Sequence, residues 1–320
     1  MEFDLYKENR TAEIKARYAS RFTTILTRYN RSVAGVNLTR FAINKPWELA
    51  RLRMVYDSDF RTITSQMNSE ISRIVMPVPI NVSKSTKKAL LIGINYIGTV
   101  DELNGCIHDA ENIASKLIGF KTITALTDYT TVKPTKANIL REFTKLLSTA
   151  VSGDCLLFTF SGHGSQVNDK NGDEVDGKDE GLFTIDEKLI VDDDLNLIIK
   201  RYLKPGVTLF ALTDCCHSGT IMDLKYNYMD YLENPKNTET GGNVIMISGC
   251  KDEQTSADAY INGKSQGAMT WAFLANLQPD VTWRKLVENM CFSLKESGYT
   301  QIPKLSSGKF INPDSKFLFA

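Results

Sequence analysis

The 320-residue chain lacks several features that define broad classes of protein. It contains no run of eighteen apolar residues, and its first residues do not form a signal peptide, so we expect no membrane span. The formal net charge is zero, which argues against a general polyanion-binding role and against nucleic acid as a partner. The six cysteines have no paired spacing and are typical of free thiols in a reducing compartment. These absences predict a globular cytoplasmic protein.

Histidine is also scarce, and two of the three histidines lie in two short segments rich in small polar residues. The apolar runs Cys155–Phe160 and Val207–Leu212 precede these segments and predict buried parallel strands. Because parallel strands end at one edge of a sheet, His163 and Cys216 are expected to lie at the same edge. A thiolate beside an imidazole is the chemistry of a cysteine peptidase. The two segments are Ser161-Gly162-His163-Gly164-Ser165-Gln166 and Asp214-Cys215-Cys216-His217-Ser218-Gly219.

Most cysteines in apolar segments are small buried hydrophobic residues. Four cysteines fit that interpretation: Cys106, Cys155, Cys250 and Cys291. Cys216 and His163 differ because each lies just past a predicted strand. His217 adjoins the cysteine and would point away from it on a continuing strand, so His163 is the base by elimination. The separation of His163 from Cys216, about fifty residues, is typical of caspase-type enzymes.

Two further segments join these in resembling the metacaspases, the caspase-like cysteine peptidases of plants, fungi, protists and bacteria. They are Asn104-Gly105-Cys106-Ile107-His108-Asp109-Ala110 and Ile247-Ser248-Gly249-Cys250-Lys251-Asp252-Glu253-Gln254-Thr255-Ser256-Ala257-Asp258. The resemblance covers residues 85–320 and implies a caspase-like three-layer sandwich, with a largely parallel sheet flanked by helices. It also implies a Cys-His dyad without a third carboxylate, oxyanion donors at the backbone N–H groups of Gly164 and Cys216, and a monomer.

The resemblance also implies a specificity pocket. The residues that line it in the family fall on Asp109, Ser161 and Asp214. Two carboxylates and a hydroxyl in a recess suit Arg or Lys before the scissile bond and would reject Asp. The expected partners are therefore proteins or peptides with a basic residue at that position. Taken singly, each acid could instead be a helix-cap or turn residue, an alternative that is stronger for Asp109.

Acidic residues are crowded between positions 169 and 194. Oxygen ligands in such number suit Ca²⁺. An EF-hand is excluded because Glu174 stands where that loop needs glycine, and a solvated acidic loop is the preferred interpretation of 169–176. The resemblance implies calcium ligands at Asp179, Asp192, Asp193 and Asp223. Ligation by Asp223, shortly after Cys216, would couple calcium binding to the loop that bears the nucleophile.

Arginine usage divides the chain, since ten of the thirteen arginines precede residue 84. With the prolines of Met76–Ser83, this predicts a helical, Arg-rich N-terminal extension at 1–83 and a catalytic domain at 84–320. Apolar residues repeat at helical spacing in the extension: Ile14, Tyr18, Phe22, Ile25, Tyr29, and then Phe60, Ile63, Met67, Ile71 and Ile74. The extension could contact nucleic acid or an anionic membrane; a helical arm packed on the catalytic domain is the favoured alternative.

Strand and helix patterns alternate in the second part, which predicts an α/β sheet covered by helices on both faces. The predicted strands are Ala89–Asn95, Thr122–Leu126, Cys155–Phe160, Val207–Leu212, Asn243–Ser248 and Lys316–Phe319. The predicted helices are Cys106–Ile118, Lys136–Ala150, Asp194–Leu203, Ala268–Leu277 and Val281–Ser297.

The leading hypothesis is a calcium-dependent cysteine endopeptidase that cleaves after Arg or Lys. A caspase-fold scaffold or binding protein with little turnover is the alternative, and a thiol redox or metal protein ranks last because vicinal cysteines lack a spacer. A basic-specific peptidase would also meet its own lysines. Lys236 in Tyr226–Gly242 and Lys264 in Asp258–Gln266 lie in predicted loops and are candidate sites of self-cleavage.

Overall fold

The computed structural model describes residues 2–38, 45–72, 85–168, 178–215, 221–228, 232–233, 237–249, 258–261 and 264–317. The chain divides into two compact units, Met1–Pro79 and Ile80–Ala320. The helices are α1 (Glu2–Leu38), α2 (Lys45–Ser72), α3 (Cys106–Lys116), α4 (Lys136–Ser148), α5 (Asp192–Tyr202), α6 (Ala268–Ala275) and α7 (Trp283–Glu296). The strands are β1 (Lys87–Gly93), β2 (Phe120–Thr127), β3 (Cys155–Ser161), β4 (Gly164–Asn168), β5 (Lys178–Phe183), β6 (Leu189–Val191), β7 (Thr208–Asp214), β8 (Tyr226–Asn227), β9 (Leu232–Glu233), β10 (Asn243–Ser248), β11 (Asp258–Ile261), β12 (Lys264–Gly267) and β13 (Lys304–Ser307).

The first unit contains the helices α1 and α2. Ile14, Tyr18 and Ile25 of α1 are buried with Ile63 of α2, so the apolar residues at helical spacing form the core of this unit. Polar contacts join the helices as well: Arg17 bonds to Glu70, and Arg28 to Asp59. The helical character of the extension is confirmed; Ile74 lies outside the described residues.

The second unit is built on an eight-stranded sheet in the order β2-β1-β3-β7-β10-β13-β8-β9. The strands β2, β1, β3, β7 and β10 are parallel, whereas β13, β8 and β9 continue the sheet in antiparallel pairs. Alternating residues of β1 pack on opposite sides: Leu90 and Ile92 share a core with Phe143 of α4, and Leu91 shares a second core with Ile113 of α3. The predicted three-layer sandwich with a largely parallel sheet is confirmed.

Three predictions of local structure need correction. The predicted terminal strand Lys316–Phe319 is wrong as a sheet strand, since Lys316 makes only an isolated bridge with Thr282 and residues 318–320 lie outside the described part. The antiparallel partner of β10 is instead β13, a short segment that periodicity did not reveal. The predicted loop Asp258–Gln266 includes the paired strands β11 and β12.

The predicted start of helix α5 also needs correction. It begins at Asp192, two residues before the predicted start, and carries three acids in its first turn. Acids in that position interact favourably with the N-terminal end of a helix, because the backbone N–H groups there carry a partial positive charge. Among the described helices, none is both long enough and apolar enough to span a bilayer.

Candidate active site

The carboxyl edge of the central sheet gathers the predicted site residues. Ser161, the last residue of β3, pairs with Gly93 of β1 on one side and with Asp214 of β7 on the other. His163 follows β3 by two residues, and Cys216 follows β7 by two residues. Cys216 itself lies outside the described residues.

The preceding residue, Cys215, is described. It is 2% exposed and lies in the core that also contains helices α4 and α5. Cys106 is buried and belongs to the same core, as predicted for a small hydrophobic residue. Cys155 and Cys291 are half-buried, and burial raises the pKa of both thiols, which disfavours the nucleophilic thiolate. Cys250 lies outside the described residues.

Two groups of one loop hold His163. Its backbone N–H donates to the hydroxyl oxygen of Tyr96 at 2.9 Å, and its ring nitrogen Nε2 lies 2.8 Å from the carbonyl oxygen of Asp101. A carbonyl can only accept a hydrogen bond, so Nε2 carries the proton in this arrangement. The other ring nitrogen, Nδ1, is then the proton acceptor of the neutral imidazole. A backbone carbonyl thus occupies the place of the third carboxylate that the sequence did not provide.

Tyr96 links this histidine to a second, three-stranded sheet formed by β4, β5 and β6. The Tyr96 ring stacks at 4.9 Å from the His163 ring, and its hydroxyl donates to the carbonyl oxygen of Phe183 at 2.7 Å. Burial raises the pKa of Tyr96 well above its usual range, so the hydroxyl keeps its proton at neutral pH. Tyr96 also has a positive φ of 52°, an uncommon conformation for a bulky residue.

The conformation of this loop is maintained by Asp128 at the end of β2. Its carboxylate accepts the backbone N–H groups of Asn95 at 2.7 Å and of Ile97 at 3.1 Å, the two residues flanking Tyr96. Sequence reasoning missed Tyr96, Asp101 and Asp128. The same rule that selected His163 could have found Tyr96, because this residue also follows a buried strand at the carboxyl edge.

The three predicted pocket residues come together at the same edge. Asp109, Ser161 and Asp214 are 0%, 5% and 1% exposed, respectively. The Ser161 hydroxyl donates to Oδ2 of Asp109 at 2.5 Å. Asp109 also accepts the backbone N–H of Gly267, with distances of 2.9 Å to Oδ1 and 3.1 Å to Oδ2. Its carboxylate is therefore bound to β3 and β12, which argues against a helix-capping role.

Asp214 has a less symmetrical environment. Its Oδ2 accepts two hydrogen bonds from Thr270, from the backbone N–H at 2.8 Å and from the hydroxyl at 2.9 Å. Its Oδ1 is buried and has no hydrogen-bond partner among the described residues. Burial raises the pKa of Asp214, and the bonds from Thr270 and the nearby backbone N–H of Met269 oppose that effect.

Gly267 separates the two carboxylates. A Cβ atom built on this glycine would overlap Oδ2 of Asp214 and would lie 2.6 Å from Oδ2 of Asp109. The backbone of Gly267 therefore lies against both carboxylates and leaves no room for a side chain at this position. Two buried carboxylates held this close together suit a cation.

Gly164, the predicted oxyanion residue, is half-buried next to His163 and opens β4, where it pairs with Leu182 of β5. The second predicted oxyanion donor is the N–H of Cys216, outside the described residues. Of the candidate cleavage sites, Lys236 also lies outside them. The backbone of Lys264 is described and pairs with Ile261 in the hairpin, so this lysine is not in a loop.

The predicted calcium ligands lie near the start of α5. Asp192 is 2% exposed; its Oδ2 accepts the backbone N–H of Glu180 at 2.9 Å, and its Oδ1 accepts that of Asp193 at 2.8 Å. Asp193 follows Asp192 in sequence, and the bond from Glu180 connects Asp192 to the residue after Asp179 on β5. Three of the four predicted ligands are therefore close along the backbone. Asn196 of α5 donates to the carbonyl oxygen of Met222 at 2.9 Å, which brings in the segment containing Asp223.

The side chains of these acids form no closed cage in the described part. Asp223 is buried and has a positive φ of 47°. Among the described side chains, which do not include that of Asp179, no group of three His, Cys, Asp or Glu residues converges as a metal centre would. Carboxylate oxygens are nevertheless the chemistry that calcium selects, and the backbone places all four residues in one region.

The fold and the paired segments at the sheet edge are those of a caspase-like cysteine peptidase. A family model described as metacaspase, peptidase C14 domain, matches residues 87–225. Metacaspase-1 of Kluyveromyces lactis is 40% identical, with 72% of this chain and 68% of that protein covered. Metacaspase-1A of Neurospora crassa is 36% identical, with 72% of this chain and 65% of that protein covered. The chain belongs to the metacaspase family of cysteine peptidases.

A solved structure supports the fold independently. The protein GSU0716 from Geobacter sulfurreducens has a TM-score of 0.55 at 24% identity, with 72% of this chain and 97% of that chain covered. The similarity extends over the greater part of this chain, and at this level of identity it bears on the fold alone.

Proposed function

We propose that this protein is a calcium-dependent cysteine endopeptidase that cleaves after Arg or Lys through a Cys216-His163 dyad. The observation that carries the proposal is the convergence of the buried carboxylates of Asp109 and Asp214 on Gly267, at the sheet edge that bears His163. The protein would act as a monomer in the cytoplasm, on protein or peptide substrates.

The chemical step follows from the tautomer of the histidine. With the Nε2 proton donated to Asp101, Nδ1 of His163 takes the proton of the Cys216 thiol. The thiolate sulfur attacks the carbonyl carbon of the scissile bond, and the oxygen gains the negative charge near the N–H groups of Gly164 and Cys216. His163 returns the proton to the leaving amine as the C–N bond breaks. Water, deprotonated by His163, then hydrolyses the thioester and restores the thiol.

Specificity for basic residues is supported by charge. No described basic side chain forms an ion pair with Asp214, whose Oδ1 has no hydrogen-bond partner, so a substrate cation would supply the opposite charge. The loss of one partner from a desolvated charge pair costs about 2–5 kcal/mol, which lowers kcat/KM by well over tenfold. Asp214→Ala should therefore abolish cleavage after Arg and Lys.

Calcium is proposed to bind at Asp179, Asp192, Asp193 and Asp223. A bound calcium ion would neutralise the repulsion among these carboxylates. The protein's own part is structural: Asp192 joins β5 to α5, and Asn196 joins α5 to the segment at 221–223. Ordering at α5 would thereby reach the residues that follow the nucleophile.

One assay tests the central proposal. Fluorogenic peptides ending in Arg, Lys or Asp are compared, each with calcium and with chelator, on the wild type and on Cys216→Ala and His163→Ala. We expect calcium-dependent hydrolysis of the Arg and Lys peptides by the wild type alone. Hydrolysis of the Asp peptide at a comparable rate would contradict the pocket assignment.

The metal is tested separately by titration calorimetry. Wild type should bind calcium, and Asp192→Ala or Asp193→Ala should weaken the binding and raise the calcium concentration needed for activity. Absence of a binding signal from folded wild type would contradict the calcium site. The scaffold alternative is favoured only if the folded wild type cleaves none of the three peptides under any of these conditions.

A further inference from the structure

Thr270 donates two hydrogen bonds to Asp214 but lies outside the sequence segments that resemble the metacaspases. It lies in the first turn of α6 and is 1% exposed. Both of its donors, the backbone N–H and the hydroxyl, bond to the same carboxylate oxygen, Oδ2. The carboxylate is thereby held in one rotation about its χ2 bond, with Oδ1 left for another partner.

The free oxygen is the informative feature. Oδ1 of Asp214 is buried and accepts no hydrogen bond from the described residues, although buried polar atoms in folded proteins are nearly always bonded. Asp109, the other carboxylate beside Gly267, is satisfied by Ser161 and Gly267. The unbonded, buried oxygen Oδ1 is therefore available to a donor that comes from outside the chain.

We infer that Thr270 is a specificity-positioning residue, which fixes Asp214 through Oδ2 so that Oδ1 is left for the substrate cation. This inference rests on the proposed function, because it assumes that the two carboxylates receive an Arg or Lys side chain. Thr270 does not touch the scissile bond; it acts through Asp214.

The two hydrogen bonds also favour the ionised form of the carboxyl group. If the hydroxyl is lost, the buried carboxylate keeps one bond to Thr270 and can rotate, so its ionised, correctly oriented state becomes less populated. A substrate cation must then restore that state when it binds. The expected defect is in substrate binding, with little change in the step at Cys216.

The test compares Thr270→Val, which keeps the shape and removes the hydroxyl, with Thr270→Ser, which keeps the hydroxyl. Thr270→Ala serves as a second variant without the hydroxyl. Binding of benzamidine, a small amidinium probe, is measured by calorimetry, and KM and kcat are measured with an Arg peptide in calcium. Gly267→Ala displaces the carboxylates: its backbone φ of −66° and ψ of 133° suit alanine, but the added Cβ would overlap Oδ2 of Asp214 and Oδ2 of Asp109.

For Thr270→Val and Thr270→Ala we expect the dissociation constant of benzamidine and KM to rise about tenfold or more, as for the loss of a hydrogen bond to a charged group. kcat should change far less, Thr270→Ser should behave as the wild type, and Gly267→Ala should lose benzamidine binding. Unchanged KM and benzamidine affinity in every folded variant that lacks the hydroxyl would overturn the inference while leaving the proposed function intact.

The wild-type measurements test the proposed function itself. A folded wild type that neither binds benzamidine nor cleaves the Arg peptide would overturn the proposed function, and this inference with it. If Thr270→Val and Thr270→Ser both lowered kcat and raised KM to the same extent, Thr270 would only stabilise the fold. That result also contradicts a positioning role.

Discussion

Tyr96→Phe removes a single oxygen atom on which two neighbouring segments depend. The hydroxyl donates to the carbonyl oxygen of Phe183 at 2.7 Å and accepts the backbone N–H of His163 at 2.9 Å. Tyr96 is 3% exposed, so water cannot easily replace these bonds. The substitution keeps the ring and its stacking against His163 and changes only the hydrogen bonding.

The magnitude follows from these two bonds. A neutral hydrogen bond contributes about 1 kcal/mol, so the loss of both should lower the free energy of unfolding by about 2 kcal/mol. In a domain of this size, that loss lowers the melting temperature by about 4–8 °C. Activity should fall further than stability suggests, because displacement of a catalytic group by about 1 Å can reduce the rate about a hundredfold.

The assay is urea unfolding followed by tryptophan fluorescence, together with peptidase kcat/KM in calcium. Trp283, a buried residue of the second unit that lies in a different core from Tyr96, reports on unfolding of that unit. Tyr129→Phe is the matched control, since it makes the same chemical change at a side chain that is 76% exposed. If Tyr96→Phe unfolds and turns over like the wild type, the hydroxyl does not position His163 and the reasoning is refuted.

Three further outcomes are expected. Cys215→Ala should retain most peptidase activity because Cys215 faces the core, whereas Cys216→Ala should have none; equal losses with both folds intact by circular dichroism would mean that the wrong thiol was chosen. Burial raises the pKa of Asp214, so ionisation of this carboxyl lowers the stability of the fold as pH rises from the unfolded-state pKa, about 4, through the raised folded-state value. Asp214→Asn should therefore melt above wild type at pH 7, with no such gain at pH 4, in differential scanning calorimetry. Prolonged calcium exposure should give discrete wild-type fragments, with a terminus after Lys236 or a basic residue between 73 and 88 by mass spectrometry, and none from Cys216→Ala. An intact chain in an active preparation would contradict self-cleavage.

The central sheet could be predicted from the sequence because its strands are buried on both faces. Such strands are continuous apolar runs, and β3, β7 and β10 were recognisable for that reason. The small sheet formed by β4, β5 and β6 could not be predicted in the same way. β4 reads Gly-Ser-Gln-Val-Asn, which carries neither an apolar run nor a clear alternation.

The site likewise contains residues that were predictable from the sequence and residues that were not. The adjacency of Ser161 and Asp214 was predictable because strand ends at one sheet edge must lie together, whereas their assignment to a pocket came from the family resemblance. The groups that hold His163 and Asp214 in position were not predictable. The carbonyl oxygen of Asp101 carries no signature in its side chain, and Thr270 reaches Asp214 only through the placement of α6, 56 residues further along the chain.

The ladder between β4 and β5 has a consequence for how this chain tolerates insertions and deletions. Asn168 and Lys178, the ends of the two strands, are direct partners, and nine residues join them. With the ends fixed side by side, a doubling of that connection changes its closure entropy by only about 0.6 kcal/mol. The deletion of one residue inside β5 would instead exchange the faces of Asp179 and Glu180. Length variation is therefore inexpensive in the connection and disruptive a few residues later, inside the strand.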